Sequence, residues 1–258
     1  MPEISDHALA PMVRKLNLWC ELGPRDRDDI LSLPYQLRQL DAGQYLVWDG
    51  DKPQHCCLLR SGFAYRHKHA GNGGRQIVSI HMKGDLVDLQ NSLLGTADHN
   101  VQMLTLGEVA LIPIEAIRQL AFDNPLVGMA IWYETLVKGS IFREWVLNIG
   151  RRDARTRIGH LLCEFALRLE VAELGRQTRY ELPITQEQLA DAVALTPVHV
   201  NRTLMKLEQE ELITRTKRLI SIVDWTELVK VADFEPRYLH LDRQNYRPAG
   251  QPQPVKVS

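Results

Sequence analysis

The sequence predicts an α+β protein: a small β-sandwich or barrel, one long helix, then two short helices followed by a β-hairpin. Three observations carry that prediction. Between residues 41 and 113, short β-type runs alternate with glycines. After Pro125, apolar side chains recur every three or four residues over three heptads. Between Leu182 and Val223, two stretches with helix-start signals precede two alternating apolar runs.

Composition sets the frame. The chain has 258 residues, 45% of them hydrophobic and 24% charged, the balance of a soluble globular protein with room for two domains. It needs no staple to hold a core. Lys and Arg total 31 against 32 Asp and Glu, a net charge of −1, which excludes a polycationic binder. Residues 1–150 carry 14 basic and 17 acidic side chains, and residues 151–258 carry 17 and 15. A polyanion is therefore expected on the C-terminal part. Cysteines at 20, 56, 57 and 163 form neither a CxxC pattern nor a disulfide scaffold. The N-terminal segment lacks the basic start and apolar run of a signal peptide, and no stretch reaches the roughly 20 apolar residues of a membrane span. A reducing cytoplasm is the expected compartment, with no membrane partner.

The elements follow in order. Residues 9–40 read as two short helices, the second opened by Gly23-Pro24-Arg25-Asp26. The β-type runs include Tyr45–Trp48, Cys56–Leu59, Gln76–Ile80 and Val109–Ile112. The helix from about 125 to 149 carries a stripe of Leu126, Met129, Tyr133, Leu136, Ser140, Arg143 and Leu147. A helix this long overshoots a small barrel, so the stripe suits the same helix of a second chain, a homodimer. Residues 154–172 predict an amphipathic helix with Ile158, Leu161, Leu162, Phe165 and Leu169 on one side. A polar break follows at 174–180. A last short helix is expected at 224–232, and the polar, Pro-rich end from 243 reads as disordered. The expected domains are 1–120, 121–150 (dimer helix), 151–225, and an extension over 226–258.

The segment Leu182–Val223 carries the chemistry. Thr185 with Gln188 forms a capping box, so a helix starts there, with Leu189 and Val193 buried and the small Ala190 at a helix crossing. Ala194-Leu195 makes a tight turn. Thr196 is an N-cap and Pro197 an N1 residue, and Val200, Leu204 and Leu207 form the second helix's buried stripe. Val198, His199, Asn201, Arg202 and Met205 are left facing out. That is a helix-turn-helix, in which the second helix enters the major groove of duplex DNA. Val198, His199, Asn201 and Arg202 are the candidate base-facing residues: Arg202 suits guanine O6/N7, Asn201 adenine or a phosphate, Val198 a thymine methyl. Thr185 and Thr196, at helix N-termini, suit phosphates. The hairpin tip Thr214-Arg215-Thr216-Lys217-Arg218 gathers three cations with hydroxyls, as a phosphate-contacting wing would; Arg215, Thr216, Lys217 and Arg218 are its candidates.

At this point the chain resembles the Crp/Fnr family of bacterial transcription regulators, over roughly residues 20 to 225. Gly43-x-x-Leu46, Gly50, Leu58-Leu59-x-Ser61-Gly62, Gly74-Arg75 and Gly84-Asp85 are similar to the turns of that family's cyclic-nucleotide-binding β-roll. The 125–149 helix is similar to its dimerisation helix. The run from Thr185 to Ile213 is similar to its winged helix-turn-helix. The resemblance implies a jelly-roll-like β-roll that holds an effector and a homodimer on a pseudo-palindromic promoter site, with RNA polymerase as a partner.

Departures qualify it. The segment after Gly84-Asp85 reads Leu86-Val87-Asp88-Leu89-Gln90, without the family's phosphate-binding Glu, and the Arg-Ser position reads His99-Asn100. No Arg lies between Arg75 and Arg118, and Asp88 and Asp98 are expected to repel a phosphate. Cyclic AMP is therefore not an expected ligand. Nor is an iron–sulfur cluster, since Cys20 is the lone N-terminal cysteine. The family's Arg-Glu base-reading pair is replaced by Pro197-Val198, while Arg202 keeps its place, so the DNA site should differ from the family's best-known one.

Other constellations are weaker. His67-Lys68-His69 lacks the downstream Glu and His of a cupin metal site and reads as solvent-facing. Met1-Pro2 and nine histidines leave a haem or metal sensor or enzyme as the alternative, but no residue picks out a ligand. One of Cys56 and Cys57 should be buried; the other is a candidate redox handle, but nothing nearby lowers its pKa. Arg151, Arg152, Arg155 and Arg157 suit either phosphates or pairing with Asp153 and Glu144, and the solvated or hinge-pairing reading is favoured. No Ser-His-Asp set, phosphate-cradling loop or HExxH is present, so catalysis is not expected. The residues name no effector and no metal.

Overall fold

The computed structural model describes residues 7–241. Met1-Pro2 and the Pro-rich end from 243 lie outside them. Two short helices, α1 (Ala10–Asn17) and α2 (Pro24–Leu31), precede eight strands. These are β1 (Gln36–Leu40), β2 (Tyr45–Val47), β3 (His55–Leu59), β4 (Ala64–His69), β5 (Arg75–His81), β6 (Leu86–Val87), β7 (Asn100–Met103) and β8 (Gly107–Pro113). They form two four-stranded antiparallel sheets, ordered β1-β8-β3-β6 and β2-β7-β4-β5. A one-turn helix, α3 (Asn91–Leu94), interrupts the strands after β6.

Leu40, Cys57, Leu59 and Val109 of the first sheet meet Val47, Ala64, Val101 and Met103 of the second in one core. The first sheet's other face presents Cys56, Leu58, Ala110 and Ile112 to α1, α2, α4 (Ile114–Asp123) and α5 (Pro125–Arg151). Strand β3 is therefore buried on both faces, and so are both Cys56 and Cys57, where one open thiol was expected. Burial pushes both thiols up, Cys57 to about 12, which removes the expected redox handle. Two turns cross so closely that only glycine fits. A Cβ on Gly62 (φ +76°) would sit 2.6 Å from the Leu106 carbonyl oxygen, and one on Gly107 2.3 Å from that of Ser61.

Helix α5 starts as its sequence directs: the Asn124 side chain accepts from Val127 N–H, and Pro125 takes the first turn. Its 27 residues span about 40 Å. One face buries Val127, Ala130, Val137 and Trp145. On the other, Leu126, Met129, Leu136 and Leu147 are exposed, and Tyr133 and Ser140 are half-buried. Trp132, Phe142 and Val146, outside the expected stripe, are exposed as well.

The C-terminal half holds α6 (Ala154–Val171), β9 (Arg179–Glu181), α7 (Gln186–Val193), α8 (Pro197–Gln209), β10 (Ile213–Thr216), β11 (Leu219–Ile222) and α9 (Trp225–Val231). Two expectations need correction. Helix α6 is not one-sided: Ile158 to Leu167 is buried without a break, because α7, α8, α9 and β9 surround it. The polar break contains a strand. Tyr180 of β9 is buried, donates its hydroxyl to the Leu162 carbonyl at 2.8 Å, and pairs with β11 in a three-stranded wing. One buried aromatic in a polar run gives no alternation to detect.

Candidate nucleic-acid interface

Local chemistry sets the helix pair. The Thr185 hydroxyl accepts from Gln188 N–H at 3.2 Å and the Gln188 side chain accepts from Thr185 N–H at 2.9 Å, a complete capping box. Leu189, Ala190, Ala192 and Val193 bury one face of α7. Ala194 takes a left-handed φ of 53° and turns the chain. The Thr196 hydroxyl accepts from His199 N–H, and α8 follows with Val200, Thr203, Leu204 and Leu207 buried.

The opposite face of α8 is open. Val198 is 70% exposed, and His199, Asn201, Arg202, Met205 and Lys206 lie exposed with it. Lys206 was not among the residues singled out from the sequence. The Gln186 amide donates to the Asn201 side-chain oxygen at 3.2 Å and so ties Asn201 to α7. Thr185, Thr196, Thr216, Lys217 and Arg218 are exposed, and Lys217 turns the wing tip with φ +57°. Arg215 does not project there. It folds back onto α8 and pairs with Glu208 at 2.7 Å.

Charge pairing explains why a segment with balanced charge offers a positive face. Glu208 is taken by Arg215, Glu210 by Arg155 at 2.7 Å, and Asp191 by Arg75 of β5 at 2.7 Å. Among the described residues, Arg202, Lys206, Lys217 and Arg218 have no carboxylate partner. Of the arginines around the start of α6, Arg152 pairs across the hinge. Arg152 meets Glu144 at 2.7 Å and Asp233 at 3.0 Å, and Arg157 donates to the Arg152 and Val193 carbonyls. Asp153 does not pair with them in the expected way: its carboxylate caps α6 by accepting from Thr156 N–H.

The helix pair is docked on the β-roll. Arg75 crosses to Asp191, Gln76 donates to the Ala192 carbonyl, and the Arg75 guanidinium stands 5.6 Å over the Tyr65 ring. Tyr65, Ile77, Ile80 and Met82 share one core with Leu189, Val193 and Val200.

Inside the β-roll, His67 is fully buried, against expectation, and His69 is exposed. Strand β7 pairs with β4 only as far as His67, so His67 has a strand on either side whereas His69 is flanked by β5 alone. Neither nitrogen of His67 has a hydrogen-bond partner among the described residues. Burial, helped by His69 and Arg75, pushes its ring down to about 4. Asp88 and Asp98 are not the free repellent charges expected. The buried Asp88 carboxylate accepts from Arg66 at 2.9 Å, and the His99 ring lies 2.7 Å from Asp88 and 2.6 Å from Asp98. Burial alone would raise the Asp88 carboxyl; His99 and Arg66 outweigh it and hold it at about 2. His99, at the family's phosphate-gripping position, is thus clamped between carboxylates. Among the described residues no three His, Cys, Asp or Glu side chains group to hold a metal, and no helix is long and apolar enough to cross a membrane.

Comparison with known proteins agrees in both halves. The sequence model of the cyclic nucleotide-binding domain matches residues 37–124, and that of the Crp-like helix-turn-helix domain matches residues 156–231. The transcriptional activator protein FnrL of Cereibacter sphaeroides is 28% identical over 199 residues, 76% of this chain and 79% of that protein. The transcriptional activator protein Anr of Pseudomonas protegens is 24% identical over 229 residues, 88% of this chain and 91% of that protein. The solved structure of FixK2 from Bradyrhizobium japonicum superposes with a TM-score of 0.70 at 19% identity, covering 77% of this chain and 98% of that one. At that identity the likeness is one of fold. With a β-roll and a winged helix pair joined by a long helix, and each half matched in its place by its own domain model, the chain belongs to the Crp/Fnr family.

Proposed function

We propose that the protein is a sequence-specific DNA-binding transcription regulator that acts as a homodimer on a pseudo-palindromic site. The observation that carries this is the open face of α8 and the wing tip, where Arg202, Lys206, Lys217 and Arg218 have no carboxylate partner among the described residues while Asp191, Glu208 and Glu210 are taken. Val198, His199, Asn201 and Arg202 read base edges. Thr185, Thr196, Thr216, Lys217 and Arg218 hold phosphates, with Arg215 adding charge once released from Glu208. The relatives named as transcriptional activators support the same reading. The exposed stripe Leu126, Met129, Leu136 and Leu147 on α5, flanked by Tyr133 and Ser140, pairs with its copy. RNA polymerase is the partner at the promoter, and the cytoplasm the place of action.

Catalysis has no part in this reading. The clamped His99 and the engaged Asp88 argue against a cyclic-nucleotide phosphate at that position, and Cys20 alone argues against an N-terminal iron–sulfur cluster. A haem or metal sensor is not favoured.

The test is selection of random duplex DNA by the purified full chain. The expected result is a two-fold symmetric motif with half-sites about one helical turn apart. Failure of the purified full chain to enrich any motif sinks the proposal.

A further inference from the structure

The match to the helix-turn-helix domain stops at residue 231, yet the described chain runs on to Leu241 and folds back over α6 toward α5. Its course is set residue by residue. Thr156 of α6 donates to the Val231 carbonyl at 3.1 Å. Gly159 then leaves room for the next residue: a Cβ there would stand 3.2 Å from the Ala232 Cβ. Phe234 is buried, edge-on to the His160 ring of α6 at 5.1 Å. After a 3₁₀ turn over Pro236–Leu239, the Tyr238 ring stacks on the His160 ring at 5.7 Å, and its hydroxyl donates to Glu164 at 2.8 Å. The same carboxylate accepts from Trp145 of α5 at 3.0 Å. His240 reaches α5 itself, 3.3 Å from the Ser140 hydroxyl.

This path crosses the break between the dimer helix and the reading head. Helix α5 ends at Arg151 and α6 starts at Ala154, and Arg152 and Asp153 between them are extended. Two extended residues leave the angle between the helices to whatever touches both. Arg152 is held on one side by Glu144 of α5 at 2.7 Å and on the other by Asp233 at 3.0 Å. The returning segment thus meets the α5 side at Ser140, at Trp145 through Glu164, and at Arg152. Arg75 ties α7 to the β-roll farther from the break; this segment holds α6 beside it.

We propose that Ala232–Leu241 is a clamp on the hinge, which fixes the angle between α5 and α6 and with it the half-site spacing that the homodimer accepts. Tyr238 and Asp233 are its positioning residues. The inference rests on the regulator reading above. Helix α6 has 18 residues and is about 27 Å long, so a turn of about 7° at the hinge moves its far end by about 3 Å, close to one base-pair step. A dimer held at one angle engages both half-sites together at one spacing. A dimer with a loose hinge engages neighbouring spacings too. It also binds the best one less tightly, because the hinge must be ordered on binding.

The test is binding of the full chain to duplexes with a single half-site, and to two-fold symmetric duplexes at the selected spacing and one base pair shorter or longer. Tyr238→Ala removes ring and hydroxyl but leaves Glu164 with Trp145 and Arg168. Asp233→Asn breaks the pair to Arg152, which keeps Glu144, and asparagine suits the φ of 46° at that exposed position. The unmodified protein should lose about tenfold or more when the spacing changes by one base pair. In both variants that penalty should fall to about threefold or less, with weaker binding at the selected spacing and unchanged binding to the single half-site. If Tyr238→Ala does not fold, Asp233→Asn decides alone. Weakening by the same factor on every duplex, the single half-site included, overturns the clamp, because the segment would then support only the fold of the reading head. An unchanged spacing penalty in the folded variants overturns it as well. So does loss of any advantage of two half-sites over one, which would mark a lost dimer. If the unmodified protein selects no motif, the regulator reading fails and the clamp falls with it. If it selects one and the variants keep its spacing, the clamp alone fails.

Discussion

The two halves of the molecule treat polar groups in opposite ways. In the C-terminal half, the polar groups assigned to function face out from capped helices. Its buried Glu164 is satisfied by Trp145, Arg168 and the Tyr238 hydroxyl. In the N-terminal half, His67, His81, Asp85, Asp88, His99 and Glu134 are buried. Of the eleven buried side-chain atoms found without a hydrogen-bond partner among the described residues, nine precede residue 150. A DNA-reading platform and a half rich in buried ionisable groups place different demands on one chain. A reading head needs a satisfied, rigid platform with its donors outside. The other half holds ionisable groups where a small change in contacts moves a large free energy.

Three measurements test the contrast between the halves. The largest effect belongs to the platform. Leu204→Ala leaves a cavity under α8 and should cost about 2–5 kcal/mol in urea unfolding, with DNA binding lost through unfolding alone. A variant that kept full stability would show the C-terminal core to be looser than its packing. Next comes acid. The unfolded chain takes protons on histidine near pH 6.5, whereas folded His67 takes one only at about 4 and His81 lower than its ordinary range. The unfolded state therefore binds more protons below 6.5, and stability falls as pH drops through that value. Between about pH 7 and about pH 5, His67 should contribute a loss of roughly 2 kcal/mol. His67→Leu should flatten the urea midpoint over that range. A midpoint that falls equally in the variant refutes the role of His67. The smallest effect is the most specific. Arg202→Ala should leave stability within about 0.5 kcal/mol yet cost roughly 1–3 kcal/mol in binding to a selected duplex, with specificity relaxed at one base pair. Equal affinity and selectivity would remove Arg202 from the base-reading set.

Much of the reading head was legible in the sequence because its determinants are local. Thr185 with Gln188, and Thr196 with Pro197, signal helix starts over three or four residues, and the structure realises both caps. The exposure of Leu126, Met129 and Leu136 followed from spacing in the same way. What was not legible depends on distant neighbours. The double burial of Cys56 and Cys57 needs helices on the outer face of the first sheet. The burial of His67 needs β7, about 33 residues on. The strand at Tyr180 needs β11 beside it. A cavity between the β-roll, α1, α5 and α6 is lined by Lys15, His81, Asp85, Lys138 and Arg168, which no sequence window contains. The positive face was obscured for the same reason: Asp191 and Glu210 look like local counter-charges until Arg75 and Arg155 are seen to hold them.

The buried thiols have one more consequence. Cys56 and Cys57 lie in the first sheet and Cys163 lies on α6, and burial pushes all three away from the thiolate form. A thiol reagent attacks the thiolate of an accessible cysteine, so each of these reacts only while the structure around it is open. The half-buried Cys20 stands outside that protection. The protein thus carries a natural stopwatch in each half. The modification rate at residues 56 and 57 times the opening of the β-roll, and the rate at 163 times that of the DNA-reading half, in the unaltered chain.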